Sequence, residues 1–231
     1  MQQLKRAIIQ ARMGSSRLRG KSLSPIYGIP LLKRVYQTIV NFEFIDSIVI
    51  ATSYLEEDDP IAAYCEHFLS CRCIRGSVDD VFGRFLDISK SMDPQDVIMR
   101  ITADNIFYQE SICKSIMEDH ITQDNDYTAI KGLSHLVGEF IKVGAIWKAG
   151  EGELSDFDRE HVTPTFINNI QKYKTQFFDP SQFRLNRNMD KLLTVDTEED
   201  RMRIEKLLAD FDQGRIPFEK DKLYNWLNNN R

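Results

Sequence analysis

Apolar positions follow two rhythms in the first half of the chain. Short apolar runs at 7–11, 47–52, 71–74 and 96–101 read as buried strands. Between them lie stretches with helical spacing at 30–40, 60–68, 78–91 and 111–119. Pro30 and Pro60 suit the first turns of two of these helices, and Val81, Phe82, Phe85 and Ile88 recur as one apolar face of another. Strands alternating with helices predict an α/β domain with a doubly wound, mostly parallel sheet covered on both faces.

The rhythm changes after residue 126. Residues 127–175 mix short strands with a helical segment near 160–173, and we expect an inserted acceptor or dimer lobe within a single domain spanning 1–231. Residues 192–195 (LLTV) are predicted as a buried strand. A helix over 198–211 follows, opened by a capping pattern of Thr197 and Asp200. After Pro217, Leu223, Trp226 and Leu227 fall at helical spacing and should dock on the body or on a partner subunit.

Composition narrows the class. Of 231 residues, 42% are hydrophobic and 28% charged, which excludes disorder as the main state. No apolar run approaches the roughly 18–20 residues of a membrane span. The polar start MQQLKRAIIQ does not resemble a secretion signal, so a cytoplasmic location is expected, with no membrane association. The net charge of −5 conceals an asymmetry: residues 1–42 carry eight Lys or Arg and no acid, leaving 22 basic and 35 acidic residues beyond. The acidic total argues against a nucleic-acid partner, while the basic head predicts a local anion site.

Four cysteines fit a reducing compartment. Cys65, His67, Cys71 and Cys73 are close enough in sequence to suggest a metal site, but the tight spacing favours small buried hydrophobes. His120 and His135 have no chemical neighbours in sequence, and Trp147 and Trp226 read as packing residues.

The candidate chemistry begins directly after the first predicted strand, in Gln10-Ala-Arg-Met-Gly-Ser-Ser-Arg-Leu-Arg-Gly-Lys21. Its glycines, Gly14 and Gly20, allow close backbone approach, and Arg12, Arg17, Arg19 and Lys21 supply four cations. The register of GxxxxGK[ST] fails because Ser15 stands where its first glycine belongs, and GxGxxG is absent. The alternative is a solvated basic loop. Two acids end predicted strands, Asp104 in RITADN and Asp196 in LTVDTEED. A nucleoside triphosphate needs a divalent cation, and Mg²⁺ takes a few carboxylates with phosphate oxygens and water. The alternatives are an Asx turn for Asp104 and a helix cap for Asp196.

Several motifs, taken in order, resemble the cytidylyltransferase family that includes spore-coat polysaccharide protein F-like enzymes, and more distantly the synthetases of CMP-Kdo and CMP-sialic acid. They are IIQARMGSSRLRGKSL, IDSIVIATS, RGSVDDVFGRF, RITADN, REHVTPTFINN and LTVDTEEDRMRI. The resemblance implies a nucleotide-diphospho-sugar transferase fold and transfer of CMP from CTP to a small-molecule acceptor, a sugar acid or related hydroxyl or phosphate compound, with release of pyrophosphate for surface polysaccharide synthesis. It also implies a Mg²⁺ cofactor and a homodimer. It assigns catalysis to Arg17, Lys21, Asp104 and Asp196, the two acids being metal ligands. Nucleotide binding falls to Gln10, Ala11, Arg12, Gly14, Ser15, Thr52, Ser53, Arg75, Gly76, Asp80 and Thr102. Acceptor binding falls to Arg84, Asn105, Arg159, Glu160 and His161. For Asp80 and Arg84 an ordinary ion pair on one helix face is the alternative, and for His161 a polar residue at a helix start. The family often has Pro at Arg19, Gly at Ala103 and Pro at Ile106, and the last two departures flank Asp104. A nucleotide-sugar-dependent glycosyltransferase of related fold is disfavoured because TADN holds no DxD. A catalytically silent nucleotide-binding subunit is disfavoured because it needs no pair of metal ligands.

Overall fold

The computed structural model describes residues 3–15, 17–134, 136–185, 188–211 and 220–229. His135, Pro217 and the side chain of Leu227 lie outside the described residues. One seven-stranded sheet organises the chain. Its strands are β1 (Lys5–Gln10), β4 (Ser47–Ser53), β5 (Arg72–Gly76), β6 (Val97–Thr102), β7 (Tyr127–Ile130), β8 (Glu139–Lys142) and β9 (Thr175–Phe178), in the order β5-β4-β1-β6-β8-β7-β9. The strands β5, β4, β1 and β6 are mutually parallel, and β8 runs antiparallel to both β6 and β7. The segment after residue 126 therefore continues the same sheet. A two-residue hairpin of β2 (Pro25–Ile26) and β3 (Ile29–Pro30) turns through Tyr27 and Gly28, both at positive φ, and precedes α1 (Leu31–Ile39).

Alternation along β1 explains the two-faced core. Ala7 and Ile9 point into one cluster, with α1, α2 (Asp59–Tyr64), α4 (Glu110–Thr122) and α9 (Glu198–Asp210). Ile8 points into the other, with α3 (Val81–Ser89), α5 (Val143–Gly150) and Phe166 of α7 (Pro164–Ile167). A strand with both faces covered is apolar throughout, as the continuous runs in the sequence predicted. Among the described residues no helix is long and apolar enough to cross a membrane.

Two expectations about elements are corrected. Residues 192–195 are not a strand: Leu192 and Leu193 end α8 (Asn188–Leu193), and Thr194 folds back, its N–H and hydroxyl both donating to the Asp190 carbonyl. Three apolar residues and a buried threonine suit a helix end as well as a strand, and periodicity over so short a run cannot separate them. The helical stretch near 160–173 is two short helices, α6 (Asp156–His161) and α7. Ser155 and Asp158 form a capping box that starts α6 early, and Pro164, without an N–H, opens a new helix after Val162 takes φ +68°.

The remaining expectations concern packing. Cys65 is buried against Cys71 and Cys73, whose hydrogen bonding, together with burial, raises its thiol pKa. The tail helix α10 (Lys220–Asn229) buries Leu223 and Trp226, and the Trp226 indole donates to Asp210 at 2.8 Å. Trp147 likewise donates to Ser89 Oγ at 2.9 Å.

Candidate functional site

A cleft of about 340 Å³ opens beyond the carboxyl ends of β1 and β6, where parallel α/β sheets place their ligands. The basic loop leaving β1 forms one wall. Its turn is closed by the N–H groups of Ser15 and Gly20, which both donate to the Met13 carbonyl at 2.8 and 2.9 Å, with Gly20 at φ +74°. Ser22 Oγ donates to the Arg12 carbonyl at 2.9 Å. Asp58, 1% exposed, accepts from Met13 N at 2.6 Å with one oxygen and from the Ser53 hydroxyl with the other. It thereby ties the loop to the end of β4. Asp58 did not stand out in the sequence, because it reaches the loop at Met13, 45 residues away.

The two predicted acids meet the loop at one point. Lys21 Nζ lies 3.3 Å from Asp104 Oδ2 and 2.8 Å from Asp196 Oδ1, and it donates to the Val195 carbonyl at 3.2 Å. Arg17, mostly exposed, pairs with the other Asp196 oxygen at 2.8 Å. Val195 N–H donates to the Asp104 carbonyl at 2.8 Å, and this tether sets the two acids side by side. The open alternatives for the acids find other owners. Thr197 and Asp200, not Asp196, form the capping box of α9. Asn105 makes the Asx turn, its Oδ1 accepting from Phe107 N at 2.7 Å. Asp196 and Asp104 both line the cleft.

Two hard carboxylates converging on one ammonium form a donor set that fits Mg²⁺. Among the described residues no group of three or more metal-ligating side chains exists, so the protein alone offers an incomplete shell.

Many of the expected residues share this cleft. Gln10 at the end of β1 and Ala11, Arg12, Ser15, Arg17 and Lys21 of the loop line it, with Thr102 at the end of β6, Asp104 just beyond it and Asp196 ahead of α9. Arg84 closes it from α3, and Glu160 and His161 from α6. Arg84 is 4% exposed, and its Nε has no partner among the described residues. Burial lowers its pKa, and nearby Arg12 adds to that effect. Gly76 admits the Arg84 stem, since a Cβ there would lie 2.4 Å from Arg84 Cγ.

Other expected residues are not in the lining. Thr52 and Ser53 are buried. Arg75 is engaged by the Ser53 and Leu55 carbonyls and by Asp59. Gly14 backs onto Glu57, and Asn105 is fully buried. Asp80 caps α3 through Gly83 N at 2.8 Å and pairs with Arg159 at 3.1 Å, so these two side chains clasp α3 to α6 outside the cleft lining. Arg100, Val81 and Ala103 line the cleft without having been singled out as site residues. Arg100 was visible only as the first letter of a motif.

A family model described as cytidylyltransferase matches residues 6–224. The chain is 36% identical over 200 residues to the spore coat polysaccharide biosynthesis protein SpsF of Bacillus subtilis, covering 84% of this chain and 81% of that one. It is 33% identical over 118 residues to 3-deoxy-manno-octulosonate cytidylyltransferase of Lawsonia intracellularis, covering 49% and 44% of the two chains. The fold is similar to that of a cytidylyltransferase from Leptospira borgpetersenii, with a TM-score of 0.84 at 22% identity over 99% of this chain and 95% of that one. It is also similar to that of a CMP:2-keto-3-deoxy-manno-octonic acid synthetase complexed with CTP, with a TM-score of 0.65 at 14% identity over 90% and 99%.

Proposed function

Because the chain belongs to the cytidylyltransferase family, we propose that it transfers the CMP group of CTP to a sugar acid or a related hydroxyl- or phosphate-bearing acceptor, releasing pyrophosphate, in surface polysaccharide synthesis. The observation that carries this reading is the convergence of Lys21, Asp104 and Asp196 at the mouth of the basic loop. In the reaction an acceptor oxygen attacks the α-phosphorus in line. The bond from that phosphorus to the bridging oxygen breaks, and pyrophosphate leaves with the electron pair. Asp104 and Asp196 would hold Mg²⁺, which supplies charge neutralisation at the phosphates. Lys21 and Arg17 leave their carboxylate partners for the triphosphate and stabilise charge on the departing pyrophosphate. Arg84, Glu160 and His161 line the cleft and orient the acceptor, and His161 or Glu160 receives the proton of an attacking hydroxyl. Arg159 supports them by holding α6 to α3 through Asp80. The same reading includes a homodimer, action in the cytoplasm, and an acceptor or dimer role for residues 127–175.

A thermal-shift panel of CTP, UTP, ATP and GTP, each with and without Mg²⁺, tests it. CTP at about 100 times its dissociation constant should add about 2.7 kcal/mol of stability. Selective stabilisation by CTP with Mg²⁺ is expected, followed by acceptor-dependent pyrophosphate release. No shift with any nucleotide overturns the reading.

A further inference from the structure

The floor of the cleft contains a buried polar chain to which the mechanism above gives no role. Arg100 lies on β6, opposite Ile8 of β1 and Glu139 of β8 in the sheet register. Its Nε donates to Gln10 Oε1 at 2.8 Å, and its Nη1 pairs with Glu139. The Tyr127 hydroxyl donates to the other oxygen of the same carboxylate. The Arg100 and Glu139 side chains are 12% and 7% exposed, so this ion pair is shielded from water and both its oxygens are satisfied. Gln10 and Arg100 both line the cleft.

A guanidinium has five donors and no acceptor. Only the oxygen end of the Gln10 amide can face it. An isolated glutamine presents its oxygen or its NH₂ at similar cost, and Arg100 removes that choice. Among the described residues no bond holds the Gln10 NH₂. Glu139 and Tyr127 in turn hold the guanidinium in one orientation.

We propose that Arg100 is a positioning residue that sets the hydrogen-bond polarity of Gln10, so that its NH₂ donates to an acceptor oxygen on the nucleoside part of the substrate. This rests on the nucleotide reading above. The oxygen belongs to the pyrimidine carbonyl or to the ribose, and 2′-deoxy-CTP beside CTP separates the 2′-hydroxyl from the rest.

The test combines calorimetry and side-chain NMR on the full chain, with CTP and Mg²⁺ and no acceptor. Gln10→Met leaves the Arg100–Glu139 pair in place and removes the donor, and it should weaken CTP binding by about tenfold. In the wild type the Gln10 NH₂ signals should be displaced from free-amide positions and move again on CTP addition. In Arg100→Met they should return toward free-amide positions in the absence of nucleotide, while backbone signals away from the cleft stay put. Because that variant leaves Glu139 buried beside no cation, Arg100→Met with Glu139→Gln provides a charge-balanced second variant. Wild-type CTP affinity in Gln10→Met overturns the proposal, as do Gln10 signals that ignore either Arg100 or CTP. A wild-type protein that binds no CTP sinks the nucleotide reading instead, and the Gln10 signals of the free protein still report whether Arg100 orients the amide.

Discussion

Lys21 sits between two carboxylates, with its ammonium 2.8 Å from Asp196 and 3.3 Å from Asp104, and only 14% of its side chain is exposed. Lys21 and Arg17 together offset the charge of the two carboxylates, and in the proposed reaction both cations transfer to the triphosphate. Lys21→Ala should lower turnover by about 10²–10³-fold, or about 2.7–4 kcal/mol of barrier, by analogy with the loss of one preorganised donor. Steady-state pyrophosphate release checks this, with circular dichroism confirming the fold, and a wild-type rate removes Lys21 from the mechanism. Asp196→Asn should abolish Mg²⁺-dependent turnover in the same assay, and survival at unchanged Mg²⁺ demand contradicts the metal assignment. These residues were legible in the sequence because their charges follow short buried apolar runs or stand in a basic loop. Asp58 and Arg100 were not: their roles depend on partners 45 and 90 residues away, and nothing local distinguishes them from other charged residues.

At the scale of elements, helix ends aim the chemistry. The capping box of Thr197 and Asp200 starts α9, and Asp200 Oδ2 also accepts from the N–H of Asp196 at 3.1 Å. One carboxylate thus fixes the helix start and the backbone of the adjacent site residue. Thr197→Ala should cost about 1 kcal/mol in urea unfolding, and Thr197→Ser should recover most of it. Equal stability of the alanine variant and the wild type contradicts the cap. The capping pattern was readable in advance because it is local, with donor and acceptor three residues apart. The break between α6 and α7 was not. Val162 adopts φ +68°, and the Thr163 N–H reaches back to the His161 carbonyl at 2.8 Å, a conformation that a buried β-branched residue takes only when surrounding packing imposes it. The same packing leaves Glu160 and His161 at the end of α6 against the cleft.

Across the whole molecule, a basic head and an acidic body meet at the cleft, and both faces of the sheet are buried. Burial carries its own pH dependence. His120 is 1% exposed, its Nδ1 is 2.9 Å from Thr128 Oγ1, and burial, aided by Lys142 and opposed by Asp124, pushes its pKa down to about 3. An unfolded histidine titrates near 6.5. Below that pH the unfolded chain takes up a proton that the folded one refuses, so this group's contribution to stability falls between about pH 6.5 and 3, with a slope approaching about 1.4 kcal/mol per pH unit. Urea midpoints should drop from pH 7.5 to 5.5 in the wild type and drop less in His120→Gln, and parallel curves for the two proteins contradict this. The sequence by itself determined the alternation of strand and helix, the doubly wound sheet, the basic loop, both acids and the cap of α9, because periodicity, charge and capping are local properties of a chain. Only the tertiary structure decided that the run at 192–195 ends a helix, that Asp104 and Asp196 share Lys21, that Asn105 is buried and Arg75 is engaged by Ser53, Leu55 and Asp59, and that Arg100 reaches Gln10. Those outcomes depend on which distant segments pack together.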